Sequence, residues 1–193
     1  HVILKEYYID KETPYFKEYA KEFTDMPFLV RVEDINGAVQ PGRFLNAKDL
    51  GSKEDGADFQ TVLIDETTNE IVVPNGTMGD RHTNPQKWNL RLENLNTGAK
   101  IDPRLSVFDQ REDVTIVKLP YFGDEEHEGV IERAIPTITV QTVDGPVKVT
   151  TVYDLILANY GIDRGIGGEV AKAYTDDTPY TPTWQEKITG VKA

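Results

Sequence analysis

The 193-residue sequence contains no cysteine. That excludes disulfides, thiolate nucleophiles and cysteine-held zinc or iron–sulfur sites within these residues. It leaves the redox compartment unread, because a chain without thiols tolerates either state. Histidine is nearly as scarce: His1, His82 and His127 are the whole set, and no two stand at the i, i+3 or i+4 spacing of a helical metal pair. No run approaches the ~18–20 consecutive apolar residues of a membrane-spanning helix. No basic leader precedes an apolar stretch as in a secretory signal. Positive charge is in deficit, with 21 Lys and Arg against 33 Asp and Glu and a net charge of −12. That balance opposes phosphate binding, which gains from counterion release by clustered cations, so nucleic acid is not an expected partner. It favours solubility or docking against a basic surface. An initiator Met is also missing.

What is present begins with helix. Val2, Ile3, Tyr7 and Tyr8 carry apolar side chains at helical spacing from the first residues, which predicts a helix over 2–9. Thr13 followed by Pro14 predicts a second helix running to about Phe23, since proline suits the first helical position. A strand is expected over 28–32, then a hairpin at Asn36-Gly37, a pair suited to turns with positive φ. The return strand is placed within 42–50 and a polar, glycine-rich loop at 51–58. Strands over 61–65 and 70–73 flank a turn at Thr68-Asn69, and residues 74–89 read as irregular. Further short strands are expected in "LRLENL", "RLSVF" and "VTIVKLPYF". Another hairpin is expected in "TITVQTVDGPVKVTTV", with Asp144-Gly145 at its turn.

Helical signals then return. Thr151 stands three residues before Asp154, a carboxylate version of the capping box, ahead of a stripe of Val152, Leu155, Ile156 and Asn159 that Gly161 stops. Thr181, Pro182 and Gly190 repeat the logic for a last helix. The expected class is therefore α+β: helices at both ends bracketing a hairpin-rich antiparallel β region. As one segment, 1–193 divides into helical residues 1–23, mainly hairpins and loops over 24–149, and helical residues 150–193.

Few side chains suggest chemistry. "DEEHE" (124–128) offers four carboxylates around His127 but lacks the alternation and central glycine of a calcium loop, and reads as a charged tip. "GDRHTNPQKW" (79–88) gathers Asp80, Arg81, His82 and Lys87, where an anion, a partner carboxylate or a structural ion pair could be met. The glycine-rich "GIDRGIGG" (161–168) follows a helix, lacks the Gly-Lys-Ser/Thr ending of a phosphate cradle, and reads as a helix stop and flexible crossing. Asn75-Gly76-Thr77 matches a glycosylation sequon, a short pattern that chance supplies often. No serine–histidine–carboxylate spacing and no Gly-x-Ser-x-Gly is found, and nothing singles out an acid–base pair. No catalytic residue and no metal ligand is expected here; the residues describe a scaffold or docking module.

Several ordered stretches do resemble a known family. "EFTDMPFLVRVE", "KLPYFG" and "VTTVYDLILANYGIDRG", followed by "YTPTWQEKITGV", are similar to the alpha subunits of membrane-bound respiratory nitrate reductases, molybdenum enzymes of the dimethyl-sulfoxide-reductase superfamily. "VPNGTMG" and "KWNL" fit in the same order, whereas "GDRHTNP" departs from the aromatic-rich version expected there. The resemblance implies an internal segment of a larger α/β molybdoenzyme domain. It implies a parent with molybdenum bound by two molybdopterin guanine dinucleotides and a [4Fe–4S] cluster, both held by residues outside these. It further implies the remainder of the alpha subunit, an iron–sulfur beta subunit and a cytochrome b gamma subunit as partners, at the cytoplasmic face of the membrane, with no direct membrane insertion by this segment. Thr24, Asp25, Arg81 and Trp88 are the candidates for supporting the cofactor from behind or for meeting a neighbouring subunit. The rival expectation is a free-standing acidic adaptor that captures partners on its edge strands. An excised segment should leave an apolar face bare on its first or last helix, or bury that face in a dimer; an adaptor should cover both.

Overall fold

The computed structural model describes residues 1–76, 91–121 and 129–193. The chain opens with a π-helix, Leu4–Asp10, wider than the α-helix that the apolar spacing predicts: the Lys11 N–H donates to the Glu6 carbonyl, five residues back. The wider winding still buries Leu4 and Tyr8. Helix α1, Pro14–Phe23, starts as expected after Thr13, although the Thr13 side chain makes no capping bond. Its end is held by Thr24, whose hydroxyl donates to the Ala20 carbonyl at 2.6 Å and accepts from the Met26 N–H.

Among the described residues nine strands follow: β1 Leu29–Ile35, β2 Ala38–Phe44, β3 Leu63–Ile64, β4 Ile71–Val72, β5 Pro74–Asn75, β6 Arg91–Asn94, β7 Asp113–Pro120, β8 Val130–Thr142 and β9 Gly145–Thr151. Helices α2, Val152–Asn159, and α3, Pro182–Thr189, complete the described elements. The main sheet is antiparallel, in the order β2-β1-β9-β8-β7. It curls far enough that its outer strands β2 and β7 come into contact, forming a half-barrel. Strand β8 makes the curl possible. Its residues through Thr137 pair with β7, and those from Ile138 pair with β9. Pro136, without an N–H to give a ladder, falls just before the changeover.

The β1–β2 hairpin turns on Asn36 and Gly37 as expected, with φ of 57° and 81°, the positive values of a tight hairpin loop. The return strand, however, occupies Ala38–Phe44 and not the whole of 42–50. The reason is local: the Asn46 side-chain oxygen accepts from the Asp49 N–H while the Asp49 carboxylate accepts from the Asn46 N–H, a reciprocal turn that competes with strand. At the other hairpin Thr142 pairs with Gly145, so Val143 and Asp144 form the loop and Gly145 opens β9 at φ 111°. Three further expectations shift. "RLSVF" forms no strand, because the Val107 N–H goes to a side chain in place of a ladder. Strands β3 and β4 are two residues each, since Asp65 diverts the backbone into a turn. Pro74–Asn75, expected to be irregular, pairs with β6.

Among the described residues four apolar clusters hold these elements, one of them made of Phe28, Leu63, Val72 and Ile101. Leu4, Tyr8, Ala20, Tyr153 and Leu157 join the first two helices to α2. Leu29, Leu45, Val62, Val107 and Val149 pack inside the half-barrel. Val117, Leu119, Ile131, Ile135 and Ala158 join β7 and β8 to the far side of α2. Helix α2 is thus the shared wall between two clusters, which places its N-terminal cap at the centre of the fold.

Candidate functional site

That cap is where polar side chains converge. Thr151 accepts from the Asp154 N–H at 3.1 Å and donates its own hydroxyl proton to Asp154 Oδ2 at 2.9 Å. Asp154 has no exposed surface and accepts three more bonds. Ser106 Oγ donates at 2.6 Å, the Val107 N–H at 2.9 Å and Arg164 Nη1 at 2.5 Å. Arg164 Nη2 donates in turn to Ser106 Oγ at 2.8 Å, and its guanidinium lies 4.1 Å from the centre of the Phe108 ring. One carboxylate therefore ties together residues 106–108, the start of α2 and the glycine-rich loop after α2.

The network floors a cleft of about 490 Å³ whose walls include Tyr8, Arg104, Ser106, Phe108, Tyr153 and Arg164. The cationic wall groups are already paired, Lys17 with Glu12 and Arg164 with Asp154 among them. Arg104 donates to Glu66 at 2.6 Å and Asn69 at 2.7 Å, and Lys21 to Asp102 at 2.6 Å. Burial raises the Tyr153 hydroxyl well above its ordinary pKa, so it stays a neutral phenol. The Ser106 hydroxyl proton is committed to Asp154, and the same oxygen accepts from Arg164 Nη2. Among the described residues the histidine set is His1 alone, whose Nδ1 lies 2.6 Å from the Tyr160 carbonyl, away from the cleft. The arrangement clamps backbone.

Two other buried polar centres follow the same logic. Asp49 accepts a two-pronged bond from Arg43, at 2.6 and 2.5 Å, a longer one from Arg31 at 3.2 Å, and the Asn46 N–H. Burial alone would push its carboxyl up; the Arg43 fork, the Asn46 N–H and the charge of Arg31 outweigh it and hold the pKa below the ordinary range. Asp65 is likewise opposed by burial yet held down by the N–H groups of Asp102 and Thr67 and the Thr68 hydroxyl. Carboxyls depressed in the folded state contribute stability above their unfolded pKa of about 3.9 and lose it as pH falls through the folded value. Thermal stability is therefore expected to hold from neutral pH to about 5 and to drop below about 4. Asp49→Asn should flatten that acid limb, and an unchanged limb in melts across this range would refute the assignment.

The third centre is Arg133 on β8, whose side chain is completely buried. Its Nη1 donates to Glu169 at 3.0 Å, but among the described residues Nε and Nη2 have no hydrogen-bond partner. Burial lowers its pKa, with the Glu169 charge opposing. The loop over it sits close: a Cβ on Gly168, at φ 82°, would fall 2.8 Å from the Ala134 nitrogen. This is one place where the glycine-rich loop requires glycine.

Of the residues singled out from sequence, Thr24 ends α1 through its hydroxyl, and Asp25 is exposed, its carbonyl accepting from the Phe28 N–H. Arg81 and Trp88, with His82, His127 and the "DEEHE" run, lie outside the described residues. Among the described residues no group of three His, Asp or Glu side chains could hold a metal ion, and no helix is long and apolar enough to cross a membrane. Ser106 and Arg164 were not singled out; their one signal was an arginine inside a glycine-rich loop ten residues after a capping aspartate.

Comparison with known proteins finds no matching family model. Individual relatives are clear. The chain is 45% identical over 192 residues to the nitrate reductase alpha chain of Bacillus subtilis, and the match takes in the whole of this chain and 16% of that one. It is 39% identical over 204 aligned residues to the respiratory nitrate reductase 1 alpha chain of Escherichia coli, covering 99% of this chain and 16% of the relative. The nitrate reductase alpha subunit of Mycobacterium tuberculosis is 38% identical over 198 residues, again 16% of its length. The chain thus spans about one-sixth of the length of the curated relatives it matches.

Proposed function

Since this chain belongs to the nitrate reductase alpha-chain family, of which it matches one segment, we propose that it is an architectural part of the catalytic subunit of a respiratory nitrate reductase. The observation that carries the reading is end-to-end identity of 38–45% with proteins of that one name. In this reading the parent reduces nitrate to nitrite with quinol-derived electrons, its molybdenum cofactor supplying the oxygen-atom transfer. The cofactor is bis-molybdopterin guanine dinucleotide, accompanied by a [4Fe–4S] cluster; an iron–sulfur beta subunit and a cytochrome b gamma subunit are the partners, at the cytoplasmic face of the membrane.

The donor set among the described residues does not fit either metal group. A cluster of this kind is held largely by thiolates, and the chain has none. Its buried carboxylates at 49, 65 and 154 are each committed to arginines, hydroxyls or backbone N–H groups. What the segment supplies is a wall: a half-barrel, two helices packed on α2, and a central clamp that fixes one against the other. The expected result is nitrite production from reduced viologen by the parent alpha subunit, and none above a metal blank by the 193-residue chain. Turnover by the isolated chain would overturn the proposal.

A further inference from the structure

Helix α1 has two faces, and among the described residues only one of them is covered. Phe16 and Ala20 face the cluster around Tyr8 and Leu157. On the other face Tyr15, Tyr19 and Phe23 recur at i, i+4 and i+8 and are 70%, 49% and 53% exposed. They form a single ridge along the helix, with the Tyr19 and Phe23 ring centres 5.4 Å apart. Beside the ridge, one turn apart, stand Glu18 and Glu22, both exposed and, among the described residues, in no ion pair. The lysines of the same helix lie on its far side and are neutralised, Lys17 by Glu12 and Lys21 by Asp102. The bare face is therefore aromatic with an acidic margin.

We infer that this face is the seat for an apolar, Lys/Arg-flanked segment of the same alpha polypeptide, contributed from outside these 193 residues. The inference rests on the architectural reading above, and the length of the relatives supplies the occupant: about five-sixths of each lies beyond the matched stretch. Charge narrows the choice. A second copy of this chain seated face to face would oppose Glu18 and Glu22 with their own equivalents, on a chain already at −12. An anionic membrane surface would meet the same repulsion. A basic margin on the occupant satisfies both glutamates while the rings bury their area.

The test is hydroxyl-radical footprinting of the purified full-length alpha polypeptide, native against urea-unfolded. Tyr15, Tyr19 and Phe23 are expected to be protected at least about tenfold, in the alpha polypeptide alone and independently of concentration. Glu18→Lys with Glu22→Lys should cut that protection several-fold, and the Gln pair should do less. Full reactivity in the native polypeptide would overturn the inference, as would protection that arises only with another subunit, with anionic vesicles or on self-association. Unchanged protection in the double lysine variant would remove the basic occupant. Nitrate turnover is read separately on the same sample, so loss of the architectural reading and loss of this seat are distinguishable.

Discussion

Asp154→Ala is expected to cost about 3–5 kcal/mol of folding stability, the range for removing one partner of a buried ion pair. The substitution keeps the N–H of residue 154 on the Thr151 cap but removes the acceptor of the Thr151 hydroxyl, and it leaves Arg164, Ser106 and the Val107 N–H facing an apolar gap. Two of those donors are buried or nearly so, and an unmet buried donor costs about 1–3 kcal/mol by itself. Asp154→Asn keeps the shape and one acceptor, so it should cost less, and Ser106→Ala should cost about 1 kcal/mol. Urea unfolding checks this, through a lower midpoint at unchanged slope. A cost under 1 kcal/mol for the alanine variant would mean that the clamp is not what joins the half-barrel to the helices.

Arg133→Met is expected to act in the opposite direction and raise stability, by about 1–4 kcal/mol, the range seen when buried charged groups are exchanged for well-packed apolar ones. The guanidinium has no exposed surface and, among the described residues, one ion-pair partner that is itself 44% exposed and two nitrogens without hydrogen-bond partners. Its desolvation is therefore poorly offset. Methionine fills a similar volume and adapts its shape to the pocket under the 161–168 loop. Glu169→Gln, which keeps the buried cation and weakens its counter-charge, should destabilise. If Arg133→Met unfolds more easily than the natural sequence, the arginine is stabilising and the imbalance argued from its two bare nitrogens is wrong. Arg133→Ala does not test the point, because the cavity it opens is costly on its own account.

Much of the local architecture was legible because short-range chemistry determines it. Thr151 with Asp154, Thr181 with Pro182 and Gly190, and Asn36 with Gly37 each specify a cap or turn within four to ten residues. Each is found where expected, with Thr181 accepting from the Trp184 N–H and Gly190 at φ 71°. The clamp was not legible, because Asp154 reaches Ser106 across 48 positions and no periodicity encodes that distance. The same carboxylate explains why "RLSVF" looks like a strand and is not one. Its alternation of apolar residues is real, but a side-chain acceptor took the backbone donor that a ladder would have used. The π-winding of the first helix escaped notice for a related reason: apolar spacing near four residues does not distinguish α from a slightly wider helix.

The closing of β2 onto β7 bears on what the molecule can attract. A flat antiparallel sheet of five strands would offer two free rows of amide and carbonyl groups to any extended stranger, the starting point of strand exchange and fibril growth. Here the two outer strands, β2 and β7, lie in contact with one another. The edge-capture route that a free-standing adaptor would need is thereby obstructed, and the folded segment is guarded against sticking to its own kind by curvature as well as by charge.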